Sequence, residues 1–366
     1  MSSTKYCYNN VLKKVVHLAK NHQLTVFTGS GTSFDSGIPT VESFVKSFMY
    51  SMQAGGHDSQ FKQAFCLPKQ YTLQYPFHYV MALIKQATSE ASFSHLLDIF
   101  DEKKHAYQPN KIHRCIAKLA SEGYLNTIYT TNFDRMIECA LDEYDVDYRV
   151  YFKASDMVVM NCVSSKPTLV KLHGCISQKS SVLSTIDMIG QTFVHADRLK
   201  PIKRCFQSNR LGDTVLVLGY GFSDHFDVNH VMKQIDDGDQ KRMIIIHHGV
   251  QDGARLDGDR IELLNGWANI IQIYVNTTQF IDDVWKGVFK TVPETGLKRF
   301  PCGRIIHDAL YKWKEGHRIQ DIKKSMLRDL HRYDDMKQQT IRAYNVCCNV
   351  LGPHHRITKD IRKNLT

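Results

Sequence analysis

The sequence predicts an α/β protein built on a doubly wound parallel sheet, with an inserted helical subdomain and a helical C-terminal appendage. Three observations lead there. Short apolar runs recur along the chain, helix-period segments separate several of them, and a glycine-rich turn follows the first run.

The runs suited to buried strands are Leu24–Phe27, Thr127–Tyr129, Leu169–Leu172, Val215–Leu218, Met243–Ile246 and Ile270–Val275. After Pro39, residues Val41, Phe44, Val45, Phe48 and Met49 fall on one helical face. Asn110 can cap a second helix that turns Ile112, Cys115, Ile116, Leu119 and Ala120 inward and stops at Gly123. Phe133, Met136, Ile137, Ala140 and Leu141 outline a third. Residues 55–104 carry helical pattern without a convincing strand, which defines the insertion. The alternation fills residues 1–290; from 291 to 366 the pattern is helical and charged.

Composition excludes several classes. Of the 366 residues, 43% are hydrophobic and 23% charged, which is globular and not disordered. No apolar stretch approaches the roughly 18–20 residues of a membrane span, and "MSSTKYCYNN" lacks the apolar core of a signal peptide. A cytoplasmic protein is expected. The ten cysteines contain no C-x-x-C pair and read as free thiols. Net charge is +10, and sixteen basic against eight acidic residues put +8 of it beyond residue 290. Such a region suits a protein interface, with nucleic acid as the alternative. Cys347, Cys348, His354 and His355 lack zinc-site spacing.

The turn itself is "VFTGSGTSFDSGIPT", Val26 to Thr40. Gly29 and Gly31 follow a strand, where their N–H groups can receive a pyrophosphate. Phe34 stands where a G-x-G-x-x-G fingerprint wants its last glycine, so the oxidoreductase pattern fails. Three further pieces end later strands: "YTTNFDR" with Asn132 and Asp134, "LVKLHGCI" with His173 and Gly174, and "VLVLGYGFSDHF" with Gly219, Gly221, Ser223 and Asp224. Strand ends in an open parallel sheet gather at one crevice. Asn132 and Asp134 can equally cap a helix, and a lone His173 can be structural.

Together these pieces resemble the sirtuin signature. "GSGTSFDSGIP" stands for its G-A-G-x-S-x-x-S/A-G-I-P loop, "TTNFD" for T-Q-N-x-D and "KLHG" for the catalytic H-G, over roughly Leu24 to Val275. Between Gly174 and Asp224 only Cys175 and Cys205 occur, so the zinc ribbon of the protein deacylases is missing and no zinc is expected. Val41 and Glu42 also replace the usual Phe-Arg after G-I-P. The chain is more similar to the sirtuin-like NAD hydrolases of bacterial anti-phage defence.

That resemblance implies a fold that binds NAD as substrate and cleaves its nicotinamide–ribose bond. Asn132, His173 and Asp134 are the implied catalytic residues: Asn132 toward the ribose or water, Asp134 toward the carboxamide, His173 as base. Thr28, Gly29, Ser30, Gly31, Thr32, Ser33, Gly219, Tyr220, Asp224 and His247 are the implied NAD-binding residues. A homo-oligomer, or assembly with a HerA-type hexameric ATPase, is the implied arrangement. A deacylase or ADP-ribosyltransferase and a non-catalytic NAD or ADP-ribose sensor are the competing readings.

Overall fold

The computed structural model describes residues 8–52, 77–158, 166–189, 196–208, 213–222, 224, 227–249, 263–291, 309–314, 319–328 and 345. Seven strands form one sheet in the order β3-β4-β2-β1-β5-β6-β7. They are β1 Leu24–Thr28, β2 Thr127–Thr130, β3 Arg149–Tyr151, β4 Thr168–Lys171, β5 Thr214–Leu218, β6 Arg242–His248 and β7 Ile270–Val275. Every pairing is parallel. The chain winds outward from β1 through β2, then returns to place β5 on the other side of β1. The order thus reverses at the carboxyl end of β1, the expected place for a ligand crevice.

Alternate residues of each central strand feed two separate cores. Val26, Ile128, Leu169, Leu216 and Ile244 point to one face, while Phe27, Tyr129, Val170, Val217 and Ile245 point to the other. The first face is covered by α1 (Tyr8–Lys20), α5 (Lys111–Ser121), α6 (Met136–Glu143) and α9 (Thr277–Phe289). The second is covered by α7 (Ala196–Phe206) and α8 (Val228–Met232). Burial on both faces explains why these strands read as continuous apolar runs.

A third cluster joins α2 (Val41–Ser51), α3 (Phe77–Ala87) and α4 (Glu90–Leu96) around Phe44, Phe48, Phe77 and Phe100. This is the helical part of the predicted insertion that lies within the described residues. Leu310, Trp313, Ile322 and Met326 are buried in the same cluster. The C-terminal region therefore uses these apolar side chains inside the chain, and Trp313 Nε1 donates to the Ser92 carbonyl at 3.1 Å. Phe133 and Val182 belong to that cluster too, so the appendage shares a core with segments flanking the site.

Strand β3 has no counterpart in the predicted runs. It has three residues at a sheet edge with mixed burial, too short to leave a pattern. Helix α6 begins at Met136 instead of Phe133, because "NFDR" is a loop in which Asp134 Oδ1 accepts from Met136 N at the start of the helix. Among the described residues no helix is long and apolar enough to cross a membrane. Cys347, Cys348, His354, His355 and Ser223 lie outside the described residues.

Candidate active site

The loops that follow β1, β2, β4 and β5 are stitched together by main-chain bonds. Gly29 N donates to Leu218 O at 3.0 Å, Thr131 N to Thr28 O at 3.2 Å, Leu172 N to Thr130 O at 2.8 Å and Ile176 N to Phe133 O at 2.8 Å. These bonds set the Asn132 and His173 segments side by side at the ends of the neighbouring strands β2 and β4.

The glycines have a different task from the one expected. Gly31 N donates to Gly219 O and Thr32 N donates to Gly29 O, so the N–H groups of Gly29, Gly31 and Thr32 are all committed. They are not a phosphate cradle in this arrangement. A Cβ on Gly29 would lie 2.7 Å from Tyr220 Cα, and one on Gly31 would lie 2.9 Å from Gly219 Cα. Glycine is required because two loops cross at backbone distance. Gly219 itself adopts φ +59° and faces Thr32 N. The loop from Ser30 to Ser36 is a 3-10 helix, and Ser30 Oγ accepts from Val41 N at 3.4 Å.

The loop hydroxyls are likewise turned inward. Thr28 Oγ1 points to Tyr129 O at 3.5 Å, and Thr32 Oγ1 donates to Gly29 O at 2.8 Å. Ser33 is the centre of a buried network. It donates to Asp134 Oδ2 at 2.9 Å, and Asn132 Nδ2 donates to Ser33 Oγ at 3.1 Å and to Thr32 Oγ1 at 3.3 Å. His113 Nε2 lies 3.3 Å from Ser33 Oγ. Because Asn110 N donates to His113 Nδ1, the neutral ring carries its proton on Nε2 and donates it to Ser33. Burial pushes the His113 pKa down to about 3, which keeps the ring neutral. Asn110 also caps α5 and donates to Thr32 O at 2.7 Å, tying that helix to the glycine loop.

Two consequences follow for Asn132 and Asp134. Both amide hydrogens of Asn132 have partners, while its buried Oδ1 has none among the described groups. A buried amide oxygen without a partner is costly, by about 1–3 kcal/mol, and marks a place where an outside donor fits. Asp134 accepts from Ser33 through Oδ2 and from Met136 N through Oδ1 at 3.0 Å. Both oxygens thus brace the loop that carries Asn132, a role the resemblance did not imply. Burial raises its pKa despite the nearby Lys171 ammonium.

Lys171 supports the same loop from beneath. The fully buried ammonium bonds the Asp134 carbonyl and pairs with Glu138 at 2.8 Å. Burial alone would lower its pKa, but Glu138 and its neighbours hold it above the usual value.

His173 stands two residues beyond β4 and is buried. Its Nε2 lies 2.7 Å from Asp227 Oδ2, and Asp227 also caps α8 through Val228 N at 2.6 Å. Burial would raise the Asp227 pKa, yet the His173 ring beside it holds the carboxyl below the ordinary range. The His78 ring meets His173 edge-on at 5.4 Å. Gly174 follows with φ +88°, and a Cβ there would sit 2.0 Å from Ser181 O. That turn fixes how His173 leaves the strand.

Tyr220 and His247 do not join this group. The Tyr220 ring is buried edge-on against Phe27 at 4.8 Å and Phe222 at 4.9 Å, in the core under the sheet. His247 bonds Gln272 at 2.9 Å and stacks on Tyr274 at 4.5 Å, two strands from β1. Three residues that the sequence did not single out are central here. His113 was hidden on the inward face of a helix, His78 lies in an apolar helical run, and Asp227 follows Asp224 by three positions.

Comparison with known proteins fits this geometry. Residues 126–267, from β2 to the end of the second core, match the SIR2-like domain family. This stretch is similar to that family and contains the "TTNFD" and "KLHG" motifs. A 137-residue stretch is 27% identical to the NAD(+) hydrolase ThsA of Cytobacillus dafuensis, covering 37% of this chain and 26% of that protein. A 185-residue stretch is 24% identical to the NAD-dependent protein deacetylase hst4 of Emericella nidulans, covering 49% of this chain and 27% of that protein. The chain thus spans about a quarter of the length of these relatives. A solved structure titled "Structural Basis for the Mechanism and Regulation of Sir2 Enzymes" aligns at TM-score 0.37 and 13% identity over 77% of this chain and 98% of its own.

Proposed function

We propose that the protein is an NAD glycohydrolase, which cleaves the nicotinamide–ribose bond to release nicotinamide and ADP-ribose. The observation that carries this reading is the buried, unpartnered Oδ1 of Asn132, locked in orientation by both of its amide hydrogens. That oxygen is placed to accept from a ribose hydroxyl or the attacking water. Pre-orientation of this kind removes the entropy of finding the reactive geometry.

The chemistry asks little more. Nicotinamide leaves a cationic pyridinium as a neutral ring, so no acid need protonate it, unlike an ordinary glycoside. One base toward a hydroxyl or water is sufficient. His173 fits that part, with Asp227 fixing its ring through Nε2 and stabilising the imidazolium that forms. The resemblance to an NAD(+) hydrolase supports the same reaction.

A deacetylase is the second reading, since another relative bears that activity in its name. The disposition of the thiols speaks against it. Cys205 is buried in the core beneath the sheet, while Cys175 sits beside Glu138 and Ser177. These two do not converge into half of a four-thiolate site. We propose further that NAD depletion is the biological output, in defence against phage and in company with an assembly partner.

Incubating the purified protein with NAD alone tests the reaction. Equimolar nicotinamide and ADP-ribose are expected with no acyl-lysine peptide present. Nicotinamide release only after an acyl-lysine peptide is added would replace the hydrolase reading with the deacylase one.

A further inference from the structure

One ring nitrogen each from His78 and His173 and one carboxylate oxygen from Asp224 lie within 4.8 Å of one another. The three come from distant parts of the chain: α3 in the helical layer, the loop after β4 and the loop after β5. His78 is buried, and its Nε2 has no partner among the described groups. The ring also has a hydrogen bond with the Leu183 backbone. We propose that these residues bind a divalent transition-metal ion of the zinc class, and that occupancy withdraws His173 from catalysis. The second half rests on the hydrolase reading above; the first does not.

The donor set fits such an ion. Two imidazoles and one carboxylate suit zinc and its neighbours, whereas magnesium and calcium prefer oxygen alone. Asp227 on Nε2 of His173 is the outer carboxylate that commonly fixes a metal-binding imidazole through its second nitrogen. Zinc bonds of about 2.1 Å would hold the ligand atoms roughly 3.4 Å apart. Closing on a metal therefore asks the cluster to contract by at most about 1.4 Å, from 4.8 Å to roughly 3.4 Å. A fourth position would remain for water.

The consequence is a simple restraint. A histidine nitrogen engaged by a metal cannot accept a proton from substrate or water, so the metal-bound protein would hold NAD cleavage off. The helical layer then has a regulatory role, since it supplies His78 to a site otherwise built from the sheet.

The full-length protein, stripped with a chelator, is titrated with zinc chloride against a chromogenic zinc indicator. One zinc per chain is expected. His78→Ala should weaken binding by at least about 100-fold, and Asp227→Asn by about 10–100-fold, the usual range for an outer carboxylate. Circular dichroism checks folding, and Asp224→Ala replaces His78→Ala if the latter does not fold. Nicotinamide release by wild type should fall as zinc saturates the site. Absence of a one-per-chain site, or unchanged affinity in a folded His78→Ala protein, overturns the metal site. Stoichiometric binding with undiminished nicotinamide release overturns the restraint. If the metal-free protein releases no nicotinamide, the hydrolase reading fails while the binding titration still decides the metal site.

Discussion

Replacing Asn132 by alanine removes the one oriented amide oxygen in the network while leaving Ser33, Asp134 and His113 bonded to one another. Turnover of NAD should fall by about 10²-fold or more, alongside a loss of stability of about 1–3 kcal/mol from the two buried amide hydrogen bonds to Ser33 and Thr32. A variant that keeps more than about a tenth of wild-type kcat would exclude Asn132 from catalysis. Asp227→Asn tests the partner of His173 instead. The amide keeps the shape but loses the negative charge, so kcat should drop by about 10²-fold or more with KM largely unchanged. His113 offers a stability test of a different kind. Its folded-state pKa of about 3 lies below the reference 6.5, so between those values the unfolded chain binds a proton that the native ring refuses. Stability should then decline on acidification through this window, by about 1.4 kcal/mol per pH unit from this group. Denaturant melts at pH 7 and 5.5 measure it, and His113→Asn should flatten the dependence.

At the scale of elements, two glycines of similar dihedral angle separate conformation from contact. Gly123 ends α5 at φ +73° with nothing near its missing Cβ, whereas Gly174 at φ +88° faces Ser181 O at 2.0 Å. Gly123→Ala should cost about 1–2 kcal/mol, the left-handed penalty alone. Gly174→Ala adds a backbone collision, so it should cost clearly more and also depress turnover, because the same turn carries His173. Equal midpoints for the two variants in urea would show that the Gly174 loop simply moves aside. The central strands were legible because both faces are buried and each leaves an apolar run; β7 is an edge strand but six residues long and apolar, whereas β3 has only three residues and left none. The caps were legible for a related reason. Asn110 is a strong capping side chain wherever helical periodicity begins after it, and it bonds the N–H groups of Ile112 and His113.

Across the whole molecule, the C-terminal helices share the aromatic cluster of the helical layer. Trp313 packs on Phe48 at 5.8 Å and is buried, so Trp313→Ala should destabilise the protein by about 3–5 kcal/mol. Because Phe133 lies in the same cluster, this change should also reduce NAD turnover. Loss of stability with full activity per folded molecule would uncouple the two regions. Assembly through this region must then use surfaces other than Leu310, Trp313, Ile322 and Met326, which already have intramolecular partners. Native mass measured across salt concentrations separates an apolar interface from a phosphate-binding one, since only the latter weakens steeply with salt.

The sequence alone determined the parallel α/β sheet, the order of its strand-end motifs and the sirtuin-like character of the chain. Those are properties of local pattern: continuous apolar runs, capping chemistry and glycines at fixed offsets. Only the tertiary structure decided what the motif residues touch. Gly29 and Gly31 proved to be close-packing positions, Asp134 a brace, and Tyr220 a core ring, since hydrogen-bond partners and backbone approach depend on loops far apart in the chain. The same holds for the residues that pattern could not single out. Asp227 is 54 positions from His173, and His78 comes from another layer, so their meeting follows from how the layers pack and leaves no periodic trace.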